Sequence, residues 1–94
     1  MTVSDIEKNA ARIIRKYLGK DARIYLFGSW AKGNTRPNSD IDIAVKISKQ
    51  DRKKFYQIRE EVDELRTLRK IDIVDLSLVS EKFKKHIFKY ALPL

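Results

Sequence analysis

The sequence predicts a small α/β domain of the α+β kind, with helices packed on one face of a small mixed β-sheet. Apolar residues recur at helical spacing in three segments, and β-branched or aromatic residues concentrate in three short segments between them. The length of 94 residues fits a single domain over residues 1–94, without repeats or linkers. Helices on one face would leave the other face of the sheet open to a ligand or a partner.

The predicted elements alternate along the chain in the order α-β-α-β-α-β-α. The segment Ser4-Asp5-Ile6-Glu7 has the pattern of a capping box and would begin a helix that Gly19 ends. Residues 23–27 predict a strand, and residues 29–32 predict a short helix closed by Gly33. The remaining predictions are a loop over residues 34–39, a strand over 40–47, a helix capped by Ser48, a strand over 70–76, and a helix capped by Ser80 and ended by Pro93.

The composition limits the chemistry. Cysteine is absent and His86 is the only histidine, which excludes thiolate chemistry, disulfides and zinc clusters built from these residues. An enzyme with this composition must use carboxylates, hydroxyls, amines and backbone groups. Lys and Arg number 21 against 13 Asp and Glu, a net charge of +8. This excess fits an anionic ligand or partner, and it also fits a soluble, heat-adapted surface.

Two carboxylates lie two residues apart at the start of the second predicted strand. Alternate residues of a strand point to the same face, so Asp40 and Asp42 would project side by side while Ile41 and Ile43 point into the core. Adjacent like charges repel each other, and a bound divalent cation removes that repulsion. Mg²⁺ prefers hard oxygen ligands and is commonly held by one or two carboxylates together with substrate phosphates.

The third predicted strand offers another carboxylate. Asp72 has the same Ile-Asp-Ile context as Asp42, and three carboxylates on neighbouring strands could hold two Mg²⁺ ions roughly 3.5–4 Å apart. Asp75 is the alternative, although an odd separation from Asp72 would make it face the other way on a regular strand. We therefore take Asp40, Asp42 and Asp72 as candidate catalytic and metal-binding residues.

The end of the first predicted strand suggests a phosphate site. Gly28 would permit close backbone approach, and a short helix beginning at Ser29 would present free N–H groups and a hydroxyl to an anion. With Lys32 and Ser39, these residues form the candidate nucleotide- and phosphate-binding set. Each feature alone is commonplace, whereas their combination with the carboxylates is specific.

These residues together resemble a known family. Gly28-Ser29, a ten-residue spacer and Asp40-Ile41-Asp42 resemble the signature of the nucleotidyltransferase superfamily that includes DNA polymerase beta. The longer match, with Lys70-Ile71-Asp72-Ile73, resembles its minimal nucleotidyltransferase (MNT) branch and covers almost the whole chain. Trp30 departs from the pattern, where a smaller, polar or basic residue is more usual; packing, stacking on a base and an interface role are all open to it.

The resemblance implies transfer of a nucleoside monophosphate, AMP from ATP being the expected case, to a hydroxyl with loss of pyrophosphate. It implies that Asp72 completes the catalytic metal site and helps deprotonate the acceptor. Members of this branch are often paired with a HEPN toxin, serve as antitoxins, and in some cases add AMP to a tyrosine of the toxin. The alternatives are a non-catalytic antitoxin that acts by binding alone and an antibiotic nucleotidyltransferase.

The surroundings of the protein can also be anticipated. The apolar runs are far shorter than the ~20 residues that span a bilayer, and the first residues lack a signal-peptide pattern, so we expect a cytoplasmic protein. Nucleic acid is not an expected partner because no aromatic strand platform or zinc finger is present. A chain this short is only modestly stable alone, so a homo- or hetero-oligomer is compatible with it.

Overall fold

The computed structural model describes residues 2–36 and 39–94, which form one mixed sheet with helices around it. Pro37 and Asn38 of the predicted loop lie outside the described residues. The helices are α1 (Val3–Leu18), α2 (Ser29–Lys32), α3 (Arg52–Asp63) and α4 (Glu81–Phe88), and the strands are β1 (Ile24–Phe27), β2 (Ile41–Val45), β3 (Ile71–Asp75) and β4 (Leu92–Pro93). Short 3₁₀ helices at Lys49–Asp51 and Leu76–Leu78 lead into α3 and α4.

The sheet has the strand order β3-β2-β1-β4. β1 is antiparallel to β2 and to β4, whereas β2 and β3 are parallel because α3 returns the chain between them. In this register Ile43 lies between Leu26 of β1 and Ile73 of β3. The predicted mixed sheet is therefore confirmed.

One face of the sheet carries the main core. The apolar side chains of α1 and α3 recur at helical spacing and pack against the isoleucines of the central strands. Ile14, Ile41, Ile43 and Ile58 are fully buried in this cluster. The two long helices thus cover one face, as predicted.

The other face is not fully open, which corrects the prediction that helices cover one face alone. Ile87 of α4 is buried there against Phe27, Ala44 and Leu76. Helical spacing predicts that a helix has an apolar face, but it does not tell which side of the sheet that face meets. The uncovered part of this face is consequently confined to its ends.

The predicted helix caps need two corrections. Ser48, predicted to cap the third helix, precedes the 3₁₀ helix and makes no capping hydrogen bond; α3 begins after Asp51, whose Oδ2 accepts from Ser48 Oγ at 3.0 Å. The capping box is formed by Thr2 and Asp5, not by Ser4 and Glu7: Thr2 Oγ1 accepts from the Asp5 N–H at 3.1 Å, and Asp5 Oδ2 accepts from the Thr2 N–H at 3.0 Å. Thr2 and Asp5 also have the required spacing of three residues, so sequence alone could not choose between the two boxes. Gly19 ends α1, and Ser80 caps α4, as predicted.

The strand β4 was missed from the sequence. α4 ends at Phe88, and Pro93, predicted only to end that helix, pairs with Tyr25 at the sheet edge. Two residues are too short to show strand periodicity, and an edge strand tolerates proline because the outer N–H is not needed. Leu94 continues the pairing by donating its N–H to Ile24 O at 2.9 Å. None of the helices in the described ranges is long and apolar enough to cross a membrane.

Candidate active site

The register of the sheet brings carboxylates of two strands together. Asp42 of β2 is the direct partner of Asp72 of β3, and on its other side it pairs with Phe27 of β1. Partners in neighbouring strands point to the same face, so Asp72, Asp42 and Phe27 form a row across the sheet. The row lies on the face that α4 only partly covers.

Asp75, the alternative third carboxylate, has a different environment. It pairs with Val45, which places it on the main-core face, and it is only 4% exposed. Its Oδ1 accepts hydrogen bonds from Ser77 N at 2.9 Å and Ser77 Oγ at 2.7 Å, which orders the 3₁₀ helix after β3. The geometry therefore puts Asp72, and not Asp75, beside Asp42.

The electrostatics of the row favour a bound cation. Burial, and after it the negative charges of Asp72 and Asp40, together raise the pKa of Asp42 to about 6 against a weaker opposing effect of Lys70. Lys70 Nζ lies 3.8 Å from Asp72 Oδ1. Its proximity was missed from the sequence, although Lys70 precedes Asp72 by the two residues that put side chains on one face. A positive charge bound here would lower the pKa of Asp42 again.

Asp40 contributes charge to this region without being part of the strand. It lies one residue before β2 begins, and its carboxylate acts on Asp42 through space. Within residues 2–36 and 39–94, no three acidic or histidine side chains are already arranged to hold one metal ion. The pair Asp42 and Asp72 fits Mg²⁺ that takes its other ligands from phosphates, water or a reoriented Asp40. The three-carboxylate, two-ion site stays a prediction.

Gly28 fits against Asp42 in a way that no other residue could. Its φ of 74° and ψ of −153° lie in a region that is essentially restricted to glycine. A Cβ at this position would overlap Asp42 Oδ2. The turn from β1 into α2 is thus packed directly on the acidic row.

The predicted phosphate-binding residues lie around this turn. Gly28 O and Ser29 O accept hydrogen bonds from Lys32 N and Gly33 N, respectively. The N–H groups that precede Lys32 at the start of α2 have no partner within the helix, because no helical carbonyl lies before them. Within the described part of the chain the Ser29 hydroxyl has no hydrogen-bond partner. Lys32 Nζ lies 5.5 Å from the centre of the Tyr90 ring.

Ser39 and Trp30 connect α2 to the segment that carries Asp40. Ser39 Oγ accepts from Arg36 N at 2.7 Å, and Ser39 O accepts from Trp30 Nε1 at 3.3 Å. The Trp30 ring packs against the main core, and the Arg69 guanidinium lies 5.1 Å from its centre. Of the roles left open for Trp30, packing and positioning are the ones that this geometry supports.

The comparison with protein families agrees with this geometry. The model of the family described as polymerase beta, nucleotidyltransferase, matches residues 8–92. The chain belongs to this nucleotidyltransferase family. The resemblance inferred from the sequence is therefore confirmed, and the mixed sheet with its helices has the fold of this family. Among curated proteins no sequence match is found.

Solved structures extend the comparison. A chain of a toxin–antitoxin complex crystallised with AMP-PNP is 27% identical, with a TM-score of 0.64 over 93% of this chain and 70% of that one. A protein described as a minimal nucleotidyltransferase is 19% identical, with a TM-score of 0.66 over 100% and 97%. A chain of the tri-AMPylated Shewanella oneidensis HEPN toxin in complex with MNT antitoxin is 23% identical, with a TM-score of 0.59 over 96% and 69%. The last two likenesses show a shared fold.

Proposed function

We propose that this nucleotidyltransferase-family chain is a Mg²⁺-dependent enzyme that transfers AMP from ATP to a hydroxyl group. The observation that carries the proposal is the register that sets Asp42 beside Asp72, half-buried and directly under the Gly28 turn. The fold holds two carboxylates side by side despite their repulsion, and the adjacent turn is suited to phosphate. Together they form a site for a metal–triphosphate complex. Such a site fits in-line transfer at phosphorus.

Each residue of the candidate site would have a distinct role in the reaction. Gly28 and Ser29 bind and orient the phosphates, with Lys32 adding positive charge at the edge. Asp40 and Asp42 would hold the metal, and Asp72 would complete the site and help deprotonate the attacking hydroxyl, with pyrophosphate as the leaving group. Bound Mg²⁺ supplies charge neutralisation at the phosphates. The protein itself would contribute to catalysis by positioning the reacting groups and by electrostatic stabilisation.

For the acceptor we propose a tyrosine of a HEPN-type toxin, with this chain as its antitoxin in a cytoplasmic hetero-oligomer. The support is the resemblance to the MNT branch and the 27% identity to a chain of a toxin–antitoxin complex that was crystallised with AMP-PNP. The chain also carries exposed apolar residues suited to a protein partner, namely Phe83, Phe88, Tyr90 and Leu92, each 40–48% exposed. Ile87 of α4, by contrast, belongs to the core.

The direct test is incubation with α-labelled ATP, Mg²⁺ and the HEPN-type product of the adjacent gene. We expect label on the partner with the wild-type chain and with Asp21→Asn, a matched change at an exposed carboxylate outside the site. Asp42→Asn should abolish labelling. A stable complex that is never labelled would favour the antitoxin that acts by binding alone, and labelling of a small-molecule hydroxyl instead would favour the antibiotic-modifying alternative.

A further inference from the structure

A second group of like charges lies on the same face of the sheet as the acidic row, at the opposite end. Continuing the register of Ile24 with Val45 puts Arg23 directly opposite Lys46, and Lys46 N donates to Arg23 O at 3.2 Å. Lys46 follows Asp42 by four residues along β2, roughly 13 Å at strand rise. The intervening surface is covered by Ile87 of α4. The basic pair is therefore separate from the candidate active site.

Arg23 and Lys46 line a cavity of about 200 Å³ between the sheet and α4. Lys84 of α4 reaches the same cavity, and Tyr25 and Phe88 form one wall with their ring centres 5.0 Å apart in an edge-to-face contact. Among the described residues that line it, none is acidic. Three cationic side chains, one just before β1, one just after β2 and one on α4, thus converge beside an aromatic wall.

The carboxylates nearby leave this positive charge largely uncompensated. Glu81 pairs with Lys84 at 3.2 Å, but Glu81 is 82% exposed, and such a surface pair contributes little. Asp21 and Asp51 lie in a neighbouring cavity that Arg23 and Lys46 also border, and Asp51 is paired with Lys54 at 3.1 Å. In the described ranges neither Arg23 nor Lys46 takes part in an ion pair.

Like charges directly opposite each other in an antiparallel pair are destabilising. Arg23 and Lys46 face each other with Lys84 beside them, so the fold maintains a repulsion that an anion would remove. Arginine presents a planar fork of donors suited to phosphate, and lysine adds a point charge. The volume is below the ~300–1,000 Å³ of pockets that bury drug-sized ligands, so it admits a phosphate or diphosphate group and little of what is attached to it.

We propose that the Arg23–Lys46–Lys84 cavity is a second anion site that binds the phosphate end of a small phosphorylated ligand, independently of Mg²⁺. The ligand's non-phosphate part would lie against Tyr25 and Phe88 at the mouth. The site does not depend on the proposed transferase activity, since it shares no residue with the acidic row.

The test measures pyrophosphate and AMP binding to the full chain in EDTA, by titration calorimetry and by amide shifts of Ser77 and Lys84. Removing divalent metal suppresses phosphate binding at the acidic row. We expect saturable binding that is retained in Asp42→Asn and at least about tenfold weaker in Arg23→Gln with Lys46→Gln. Lys82→Gln with Lys85→Gln, which removes the same charge from exposed positions of α4, should change affinity less than about twofold.

Several results would overturn the proposal. Equal losses in the two double variants would mean non-specific attraction to a protein of net charge +8. Loss of binding in Asp42→Asn would assign the phosphate to the acidic row. Absence of saturable binding of both probes, or tighter binding of a glutamate-rich peptide than of either probe, would make the cavity a protein contact.

The two probes also test the contact with the aromatic wall. Stronger binding of AMP than of pyrophosphate would show that the group attached to the phosphate contacts Tyr25 and Phe88. Stronger binding of pyrophosphate would restrict the site to the phosphates.

Discussion

The face of the sheet that α4 partly covers carries acidic side chains at one end and basic side chains at the other. At one end Asp42 and Asp72 are partners in a parallel ladder, and at the other Arg23 and Lys46 face each other across an antiparallel one. Both ends carry like charges side by side, and the buried Ile87 of α4 separates them. The face therefore has an acidic end and a basic end on a scaffold held by the same apolar packing.

Burial distinguishes the two ends. Asp42 is half-buried beneath Gly28, and its pKa is raised to about 6, whereas Arg23 and Lys46 are exposed. A half-buried carboxylate pair that is desolvated and crowded has a strong preference for a compact cation. An exposed basic pair gains less from a ligand because water already solvates it. We therefore expect tight, metal-dependent binding at the acidic end and weaker, metal-independent binding at the basic end.

The largest effect should come from Gly28→Ala. The added Cβ would overlap Asp42 Oδ2, and the glycine-only backbone conformation would add strain of about 1–3 kcal/mol. We expect loss of nucleotide binding at the acidic end, measured by calorimetry with Mg²⁺ and a non-hydrolysable ATP analogue. Gly33→Ala is the control, since Gly33 has a φ of 80° with no atom near its would-be Cβ. If both variants bind nucleotide equally well, Gly28 does not shape the site.

The variants Asp72→Asn and Asp75→Ala should separate a role in the chemistry of the site from a role in the stability of the fold. Asp72→Asn should lower transfer activity by about 10²–10³-fold and leave the free energy of unfolding nearly unchanged. Asp75→Ala should cost about 1–3 kcal/mol of stability, because it removes the buried oxygen that accepts two hydrogen bonds from Ser77. Urea unfolding and initial rates measure the two effects. If the Asp75 variant lost transfer activity and the Asp72 variant lost stability instead, Asp75 would be the third carboxylate of the site.

The stability of the metal-free protein should depend on pH through Asp42. Its pKa is about 6 in the folded chain against an ordinary 3.8, so between these values the folded state binds more protons than the unfolded state. This contribution is complete below pH 3.8 and is lost as the pH rises through 6. Asp42→Asn should therefore be more stable at pH 7.5, by on the order of 1 kcal/mol after allowing for solvent screening. Unfolding curves at several pH values give the difference, and identical pH profiles would refute the shift.

The smallest effect should come from Trp30→Phe, which keeps the ring in the core but removes the donor to Ser39 O. We expect a loss of about 1 kcal/mol in stability and a modestly weaker nucleotide affinity through the displaced segment before Asp40. Thermal unfolding and analogue binding report the two quantities. An increase in affinity would assign Trp30 a role other than positioning.

The positions of the candidate site residues were more predictable from the sequence than the edges of the fold. Strand alternation predicted which residues of one strand share a face, and it correctly put Asp72 and Asp75 on opposite faces of β3. The register that makes Asp42 the direct partner of Asp72 came from the structure. The placement of α4 was not predictable, because helical spacing predicts an apolar face but not the side of the sheet against which that face packs. Strand β4 was too short to show a period. The Arg23–Lys46 pair needed the register of β1 with β2, which no local pattern contains.

The most direct measurement is the affinity of Mg²⁺ with a non-hydrolysable ATP analogue for three chains, namely the wild type, Asp42→Asn, and Arg23→Gln with Lys46→Gln. If the acidic end is the nucleotidyltransferase site, Asp42→Asn should bind at least about tenfold more weakly and the basic-pair variant within about twofold of the wild type. Unchanged affinity in Asp42→Asn, or a loss confined to the basic-pair variant, would contradict the assignment of the active site to the acidic row.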